Sequence, residues 1–144
     1  IGFGTDGAAS NNRLDLFSEM RLAALLAKGT SGDAAALPAA AALRAATLDA
    51  ARALNLDSQI GSIVPGKRAD LIAVDLHGLS CQPLFDPVSH LVYVAGREDV
   101  THVWVDGSLK LEERRLVDLG QNGLNINDLT ARAAYWRGKL TVKG

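Results

Sequence analysis

The stretch Ile1-Gly-Phe-Gly-Thr-Asp-Gly-Ala-Ala-Ser-Asn-Asn12 joins a short apolar segment to an acidic residue, a glycine and a run of small polar side chains. This pattern predicts a strand that ends near Asp6 and continues into a loop. In parallel α/β architectures the reacting groups stand at the carboxyl ends of the strands, so Asp6 is the candidate catalytic residue. Asp followed by Gly is also common in turns, and a loop-capping role is therefore the alternative for these two residues alone.

Composition narrows the class of protein. The 144 residues are 48% hydrophobic, which predicts a buried core and one domain, or a domain and a piece of another. The net charge is -1 and Lys and Arg do not cluster, so no nucleic-acid or membrane-surface partner is indicated. No apolar run reaches the roughly 18 residues of a membrane span. We therefore expect a soluble protein. Cys81, the only cysteine, predicts a buried structural thiol in a reducing cytoplasm.

The first half of the chain is predicted to be mostly helical. Apolar residues at helical spacing predict an amphipathic helix that packs on the first strand. They are Leu14, Phe17, Met20, Leu22, Leu25 and Leu26. Pro38 suits the first turn of a second helical stretch, from Ala39 to about Leu54. Thr47 can cap a new short helix within that stretch, which predicts two helices that meet at a bend.

The second half of the chain is predicted to form a small, largely antiparallel sheet and a final helix. Predicted strands are Leu71–Val74, Leu91–Ala95, Val100–Gly107, Leu109–Leu111 and Arg115–Val117. Asp106-Gly107 is a strong hairpin signal within the third of them. Asn127 or Asp128 is the predicted N-cap of the final helix.

Three segments, in this order, resemble the amidohydrolase superfamily, in particular the branch of S-adenosylhomocysteine and methylthioadenosine deaminases and triazine hydrolases. The segments are Gly4–Asn12, Ile60–Asp70 and Thr101–Gly107, which together extend over most of the chain. The resemblance implies an α/β fold: the C-terminal βα unit of a (β/α)8 metal-dependent hydrolase barrel, a small β-sandwich part and a terminal helix. We expect the barrel elements in 1–58, the sandwich part in 59–124 and the terminal helix in 125–144.

The resemblance also assigns roles to residues near the N-terminus. In enzymes of this family the aspartate that ends the last barrel strand lies beside a divalent metal and serves as ligand, as proton acceptor, or both. Asp6 is accordingly the expected catalytic residue and metal ligand. Gly7 and Ser10 are the expected substrate-binding residues, with Gly7 leaving room for a ring. For Asn11 and Asn12 a loop-capping role is at least as well supported.

The rest of a metal site is missing from the sequence. A hydrolytic metal site usually needs about three protein ligands, but His77, His90 and His102 have no ligand spacing, and we interpret them as local or packed histidines. We expect one zinc ion whose other ligands lie upstream of Ile1, on a missing N-terminal part of the barrel. The isolated chain is therefore predicted to be inactive. Lys67, Arg68 and Asp70 suggest either an anion site or, preferably, a solvated turn.

The function that follows from the resemblance is hydrolytic deamination of an adenosine-type small molecule, S-adenosylhomocysteine or methylthioadenosine, to the inosine-type product and ammonia. Two alternatives stay open at this point. One is another heterocycle hydrolase, such as a guanine deaminase or a triazine aminohydrolase or chlorohydrolase. The other is a non-enzymatic β-sandwich assembly module, and homo-oligomerisation is compatible with either.

Overall fold

The computed structural model describes residues 1–117 and the helix Ile126–Leu140. Helices α1 (Leu16–Ser31), α2 (Ala39–Ala45) and α3 (Leu48–Ala53) come first, and strand β1 (Leu71–Val74) follows them. Helix α4 (Pro87–Tyr93) comes next, then strands β2 (Val100–Val105), β3 (Ser108–Glu112) and β4 (Arg115–Leu116) and helix α5 (Ile126–Leu140). Short 3₁₀ turns lie at Leu79–Cys81 and Arg97–Asp99.

Helices α1, α2 and α4 pack together and enclose the core of the molecule. Its buried members are Met20, Ala24, Ala42 and Val92. Phe3 and Phe17 pack against this cluster from the side. The apolar face predicted for α1 is only partly buried, because α2 and α4 cover one side of the helix. Leu22, Leu25 and Leu26 point away from that side and are each more than half exposed.

The predicted bend in the alanine-rich stretch is confirmed. Helix α2 ends at Ala45 and α3 begins at Leu48. Thr47 precedes α3, but its hydroxyl donates to the carbonyl oxygen of Leu43 at 2.8 Å and does not cap the new helix. Ala42, Ala45 and Ala51 are buried, which agrees with close packing of backbones.

The strand predicted at Leu91–Ala95 is wrong, because these residues fall largely in α4. The side chain of Asp86 accepts hydrogen bonds from the backbone N–H groups of Val88 at 3.1 Å and Ser89 at 3.2 Å. Pro87 follows at the first helical position, where its missing N–H costs nothing. These capping interactions and the burial of Val92 outweigh the strand propensity of the β-branched residues.

The strands form one antiparallel sheet in the order β1-β2-β3-β4. The hairpin predicted at Asp106-Gly107 is confirmed, and both residues have positive φ, at 50° and 75°. The strands predicted around 71–74, 100–107, 109–111 and 115–117 are present, and the second of these ends at Val105. None of the residues in these four strands is buried, and no second sheet lies among the described residues.

Helix α5 is the last element of the chain that the structure describes. Helix α5 begins at Ile126, so Asn127 and Asp128 lie within its first turn and neither is the N-cap. Trp136 and Leu140 on this helix are 58% and 74% exposed.

The predicted burial of Cys81 is confirmed, at 1% exposure. None of the helices in the described ranges is long and apolar enough to cross a membrane.

Candidate active site

The segment that leads into Asp6 forms no strand, so the strand predicted at the N-terminus is wrong for the described residues. A strand requires a ladder of hydrogen bonds to a neighbouring strand. This segment instead lies against α2 and α3. The N–H of Phe3 donates to the carbonyl oxygen of Ala45 at 3.0 Å, and a Cβ on Gly2 would lie 2.6 Å from the Cα of Ala50.

Asp6 lies directly before the turn of residues 7–10 and is exposed. Its φ of 57° places it in the left-handed region, which Asp tolerates better than most residues. The N–H of Gly7 donates to Asp6 Oδ1 at 2.6 Å, and the hydroxyl of Thr5 donates to the Asp6 carbonyl oxygen at 3.1 Å. Oδ2 has no hydrogen bond to any described residue and is open to a metal or a water molecule.

Gly7 and Ser10 lie on the same turn, directly after Asp6. The carbonyl oxygen of Gly7 accepts from the N–H of Ser10 at 2.9 Å and from the N–H of Asn11 at 3.0 Å. A Cβ built on Gly7 meets no described atom within 4 Å. Both expected substrate-binding residues are therefore exposed beside the carboxylate, with free space next to Gly7.

Asn11 connects this turn to α1. Its Nδ2 donates to Glu19 Oε1 at 2.7 Å, and its Oδ1 accepts from the N–H of Arg13 at 2.9 Å. The loop-capping interpretation of Asn11 is therefore supported by its contacts. The turn that follows Asp6 is consequently tied to the first turn of a helix that belongs to the core.

Asp15 is a buried helix cap that the sequence analysis did not single out. It is 3% exposed and caps α1, since its carboxylate accepts from the N–H of Phe17 at 3.1 Å and the hydroxyl of Ser18 at 2.9 Å. Arg13 Nε lies 3.3 Å from Asp15 Oδ2. An Asp directly before an apolar periodic segment is the signal that predicts such a cap.

Among the described residues, Asp6 is the one side chain that we expect to bind a divalent metal. A carboxylate oxygen such as Asp6 Oδ2 is an ordinary zinc ligand. However, no group of three or more His, Cys, Asp or Glu side chains lies together within residues 1–117 and 126–140. A complete site would need donors from outside these ranges.

The three histidines make local contacts, as the sequence predicted. His77 Nδ1 lies 2.9 Å from Asp75 Oδ1, on the exposed surface. His90 Nδ1 lies 3.0 Å from the carbonyl oxygen of Asp86, at the start of its own helix. His102 stacks on Trp104 with ring centroids 5.5 Å apart. None of them takes part in a group of potential metal ligands within residues 1–117 and 126–140.

The basic turn after Gly66 is largely solvated, as the sequence interpretation preferred, since Arg68 and Asp70 are exposed and Lys67 is only partly buried. The ammonium of Lys67 donates to three oxygens of the loop 57–62. Arg68 Nη1 lies 3.4 Å from Asp106 Oδ2, and the N–H of Asp106 donates to Asp70 Oδ1 at 2.6 Å. These three residues therefore hold a loop and a hairpin in place.

Comparison with known proteins identifies the family of the chain. The sequence profile of the amidohydrolase family matches residues 1–110. The chain therefore belongs to the amidohydrolase family, as its three motifs indicated.

Individual relatives narrow the resemblance within that family. A 5-methylthioadenosine/S-adenosylhomocysteine deaminase from Teredinibacter turnerae is 46% identical over 143 residues, which are 99% of this chain and 31% of that enzyme. The crystal structure of an adenosine deaminase from Xanthomonas campestris with bound zinc is 52% identical, with a TM-score of 0.89 over 96% of this chain and 30% of that one.

A more distant solved structure is the atrazine chlorohydrolase from Arthrobacter aurescens complexed with zinc. It is 29% identical, with a TM-score of 0.80 over 93% of this chain and 29% of that one. The chain spans about 30% of the length of the relatives that it matches.

Proposed function

We propose that this chain is the C-terminal part of a metal-dependent aminohydrolase that deaminates an adenosine-type substrate. The observation that carries the proposal is 46% identity to a methylthioadenosine/S-adenosylhomocysteine deaminase over 99% of the chain. The exposed carboxylate of Asp6 is in keeping with it. Methylthioadenosine and S-adenosylhomocysteine are the proposed substrates. The products are the inosine-type nucleoside and ammonia.

Asp6 is the proposed proton carrier of the reaction. Water adds to the amino-bearing ring carbon, Asp6 Oδ2 accepts the proton of that water, and the proton passes to the departing amine as the C–N bond breaks. The N–H of Gly7 fixes Oδ1 at 2.6 Å, which limits rotation of the carboxylate. A single zinc ion beside Asp6 would lower the pKa of water from about 15.7 towards about 7. Its remaining ligands would come from the barrel strands outside this chain.

Gly7 and Ser10 are the proposed substrate contacts. A Cβ on Gly7 meets no described atom within 4 Å, and this open space next to Asp6 would leave room for a flat heterocycle. Ser10 presents a hydroxyl on the same exposed turn. Both features suit a purine ring that must approach the reacting carboxylate.

The fold supports a larger catalytic domain around the chain. An apolar groove between the N-terminal segment and α1 is lined by Gly2, Phe3, Gly4, Glu19, Leu22, Ala23 and Leu26. We propose that 1–58 completes a (β/α)8 barrel, that 59–124 forms one side of a β-sandwich and that 125–144 is a terminal helix. The isolated chain would then be inactive. The free, buried thiol of Cys81 is consistent with the proposed cytoplasmic location.

The main competing function is hydrolysis of another heterocycle. The similarity to an atrazine chlorohydrolase, with a TM-score of 0.80, favours this alternative over a non-enzymatic module. The described turn does not discriminate between the two substrates, because the carboxylate and the open space suit either ring. Substrate choice would depend on side chains from other strands.

A substrate panel on the whole protein tests the proposal. Ammonia release is measured with methylthioadenosine, S-adenosylhomocysteine, adenosine and guanine, and chloride release with atrazine. We expect the two thioether nucleosides to give the highest kcat/KM. Preferential release of chloride from atrazine would support the alternative, and no turnover of any of the five would refute the hydrolase assignment.

A further inference from the structure

Lys67 lies far from Asp6 in sequence, and the structure connects the two through a series of contacts. We propose that Lys67 is a positioning residue for Asp6, acting through the loop 57–62 and helix α3. This inference rests on the proposed function for one point, the assignment of Asp6 as the catalytic residue. The series of contacts that joins Lys67 to the segment before Asp6 does not depend on that assignment.

The first step of the connection is the loop around the Lys67 ammonium. Nζ donates to the carbonyl oxygen of Asp57, to that of Ile60 at 3.2 Å and to the hydroxyl of Ser62 at 2.7 Å. The side chain is partly buried, and hydrogen bonds from a charged donor are stronger than neutral ones. Lys67 therefore fixes the shape of the loop from three sides.

The second step joins this loop to α3. Gly61 has a φ of 85°, and a Cβ at this position would lie 2.7 Å from the Cβ of Ala51. Ala51 is 3% exposed, and its carbonyl oxygen accepts from the N–H of Leu56 at 2.8 Å. The loop and the helix are in such close contact that a displacement of one must displace the other.

The third step joins α3 to the segment that leads into Asp6. A Cβ on Gly2 would lie 2.6 Å from the Cα of Ala50 and 2.9 Å from its Cβ. The N–H of Phe3 donates to the carbonyl oxygen of Ala45 at 3.0 Å, at the end of α2. Helix α3 thus lies between Gly61 and Gly2, and it transmits the position of the loop to the backbone just before Asp6.

A small displacement of Asp6 would matter for catalysis. Misplacing a reacting group by about 1 Å can reduce the rate about 10²-fold. A ground-state binding contact would instead change KM. A positioning role for Lys67 therefore predicts a loss of kcat with little change of KM.

The test uses the whole enzyme with Lys67→Met, which keeps an unbranched side chain one atom shorter and removes the three donors. We expect kcat to fall about 10- to 100-fold and KM to stay within about twofold. Ser62→Ala removes one acceptor and should cause a smaller loss of the same kind. In Co²⁺-substituted enzyme, the visible spectrum of Lys67→Met should shift in the direction seen for Asp6→Asn.

A matched control separates positioning from general loss of stability. Val103→Ala changes the sheet, away from α3, and is compared with Lys67→Met at temperatures where both are folded. We expect Val103→Ala to keep kcat and the Co²⁺ spectrum. If Lys67→Met also kept both, the positioning role would be overturned.

Hydrogen exchange distinguishes this inference from the proposed function. We expect faster exchange of the Phe3 amide in Lys67→Met, even if the wild-type enzyme turns over no substrate in the panel. An unchanged Phe3 amide would overturn the connection whatever the activity. If Lys67→Met does not fold, the exchange of the Phe3 amide is measured in Gly61→Ala, which moves the loop against Ala51. Adding Ala51→Gly to Gly61→Ala should partly restore the wild-type exchange rate.

Discussion

The helical layer and the sheet are stabilised in different ways. Among the described residues, the helical layer of α1, α2 and α4 buries a cluster that includes Met20 and Val92, and the N-terminal segment packs on it through Phe3. The four strands contain no buried residue. Asp6 is therefore attached to the part of the molecule with a core.

The sheet depends on its ladders and on polar contacts between loops. Arg114 donates from its backbone N–H to the carbonyl oxygen of Thr101 at 3.0 Å, and its Nη2 lies 3.5 Å from Asp75 Oδ2. Arg68 and Asp106 form a similar tie at the other end of the sheet. Exposed ion pairs of this kind contribute little each, so burial is the stronger source of stability in this molecule.

The largest expected effect concerns the carboxylate carried by the helical part. Asp6→Asn in the whole enzyme should reduce kcat by about 10³-fold, because the amide cannot accept the proton of the attacking water. Ammonia release measures the loss, and circular dichroism checks the fold. Asp33→Asn, in the loop between α1 and α2, is the matched control and should keep full activity. Activity of Asp6→Asn near the wild-type level would remove Asp6 from the chemistry.

A pair of valine substitutions tests the contrast in burial. Val92 is fully buried in the helical core, and Val92→Ala should lower the free energy of unfolding by about 2 to 3 kcal/mol through lost contacts and a cavity. Val103 in β2 is only partly buried, and Val103→Ala should cost less than about 1 kcal/mol. Urea unfolding of this chain measures both. Equal losses would contradict the difference in burial between the two valines.

The buried cap of α1 should have the next largest effect. Asp15→Ala removes two hydrogen bonds at the start of the helix and should destabilise the protein by about 1 to 2 kcal/mol. Asp33→Ala removes an exposed turn contact and serves as the control. Urea unfolding midpoints compare the two variants, and an equal shift for both would contradict the assigned role of Asp15.

The smallest effect is expected at the edge of the sheet and depends on pH. Hydrogen bonds from the backbone and ring of His77, and the nearby Arg114, hold the pKa of Asp75 below its usual range. A carboxylate with a lowered pKa in the folded state stabilises the protein above its unfolded-state pKa of about 3.9, and this contribution is lost as the pH falls through the folded-state value.

Unfolding midpoints at neutral and acidic pH test this contribution. We expect Asp75→Asn to be less stable than wild type at pH 7 and equally stable once the pH is below the folded-state pKa of Asp75. His77→Ala keeps the backbone N–H that is the main cause of the lowered pKa, so this control should retain most of the wild-type behaviour. A constant difference between Asp75→Asn and wild type across the pH range would argue against this origin.

Local sequence signals predicted the elements that depend on neighbouring residues. The Asp106-Gly107 hairpin was predictable because positive φ at two successive positions favours these residue types. The Leu91–Ala95 segment was misassigned because its β-branched residues were weighed without the Asp86-Pro87 cap that begins α4. The exposure of Leu22 and Leu26 was not predictable, since it depends on which sides of α1 its neighbours cover.

The sequence by itself determined the amidohydrolase family membership, the candidate role of Asp6 and the absence of a complete metal-ligand set. These follow from residue types and short spacings. Only the tertiary structure decided that Lys67 holds the loop 57–62, that Gly61 and Gly2 flank α3, and that Asp15 is buried. The physical reason is that close packing brings together residues that are far apart in the chain. A short-range sequence pattern does not indicate which backbone segments come into van der Waals contact.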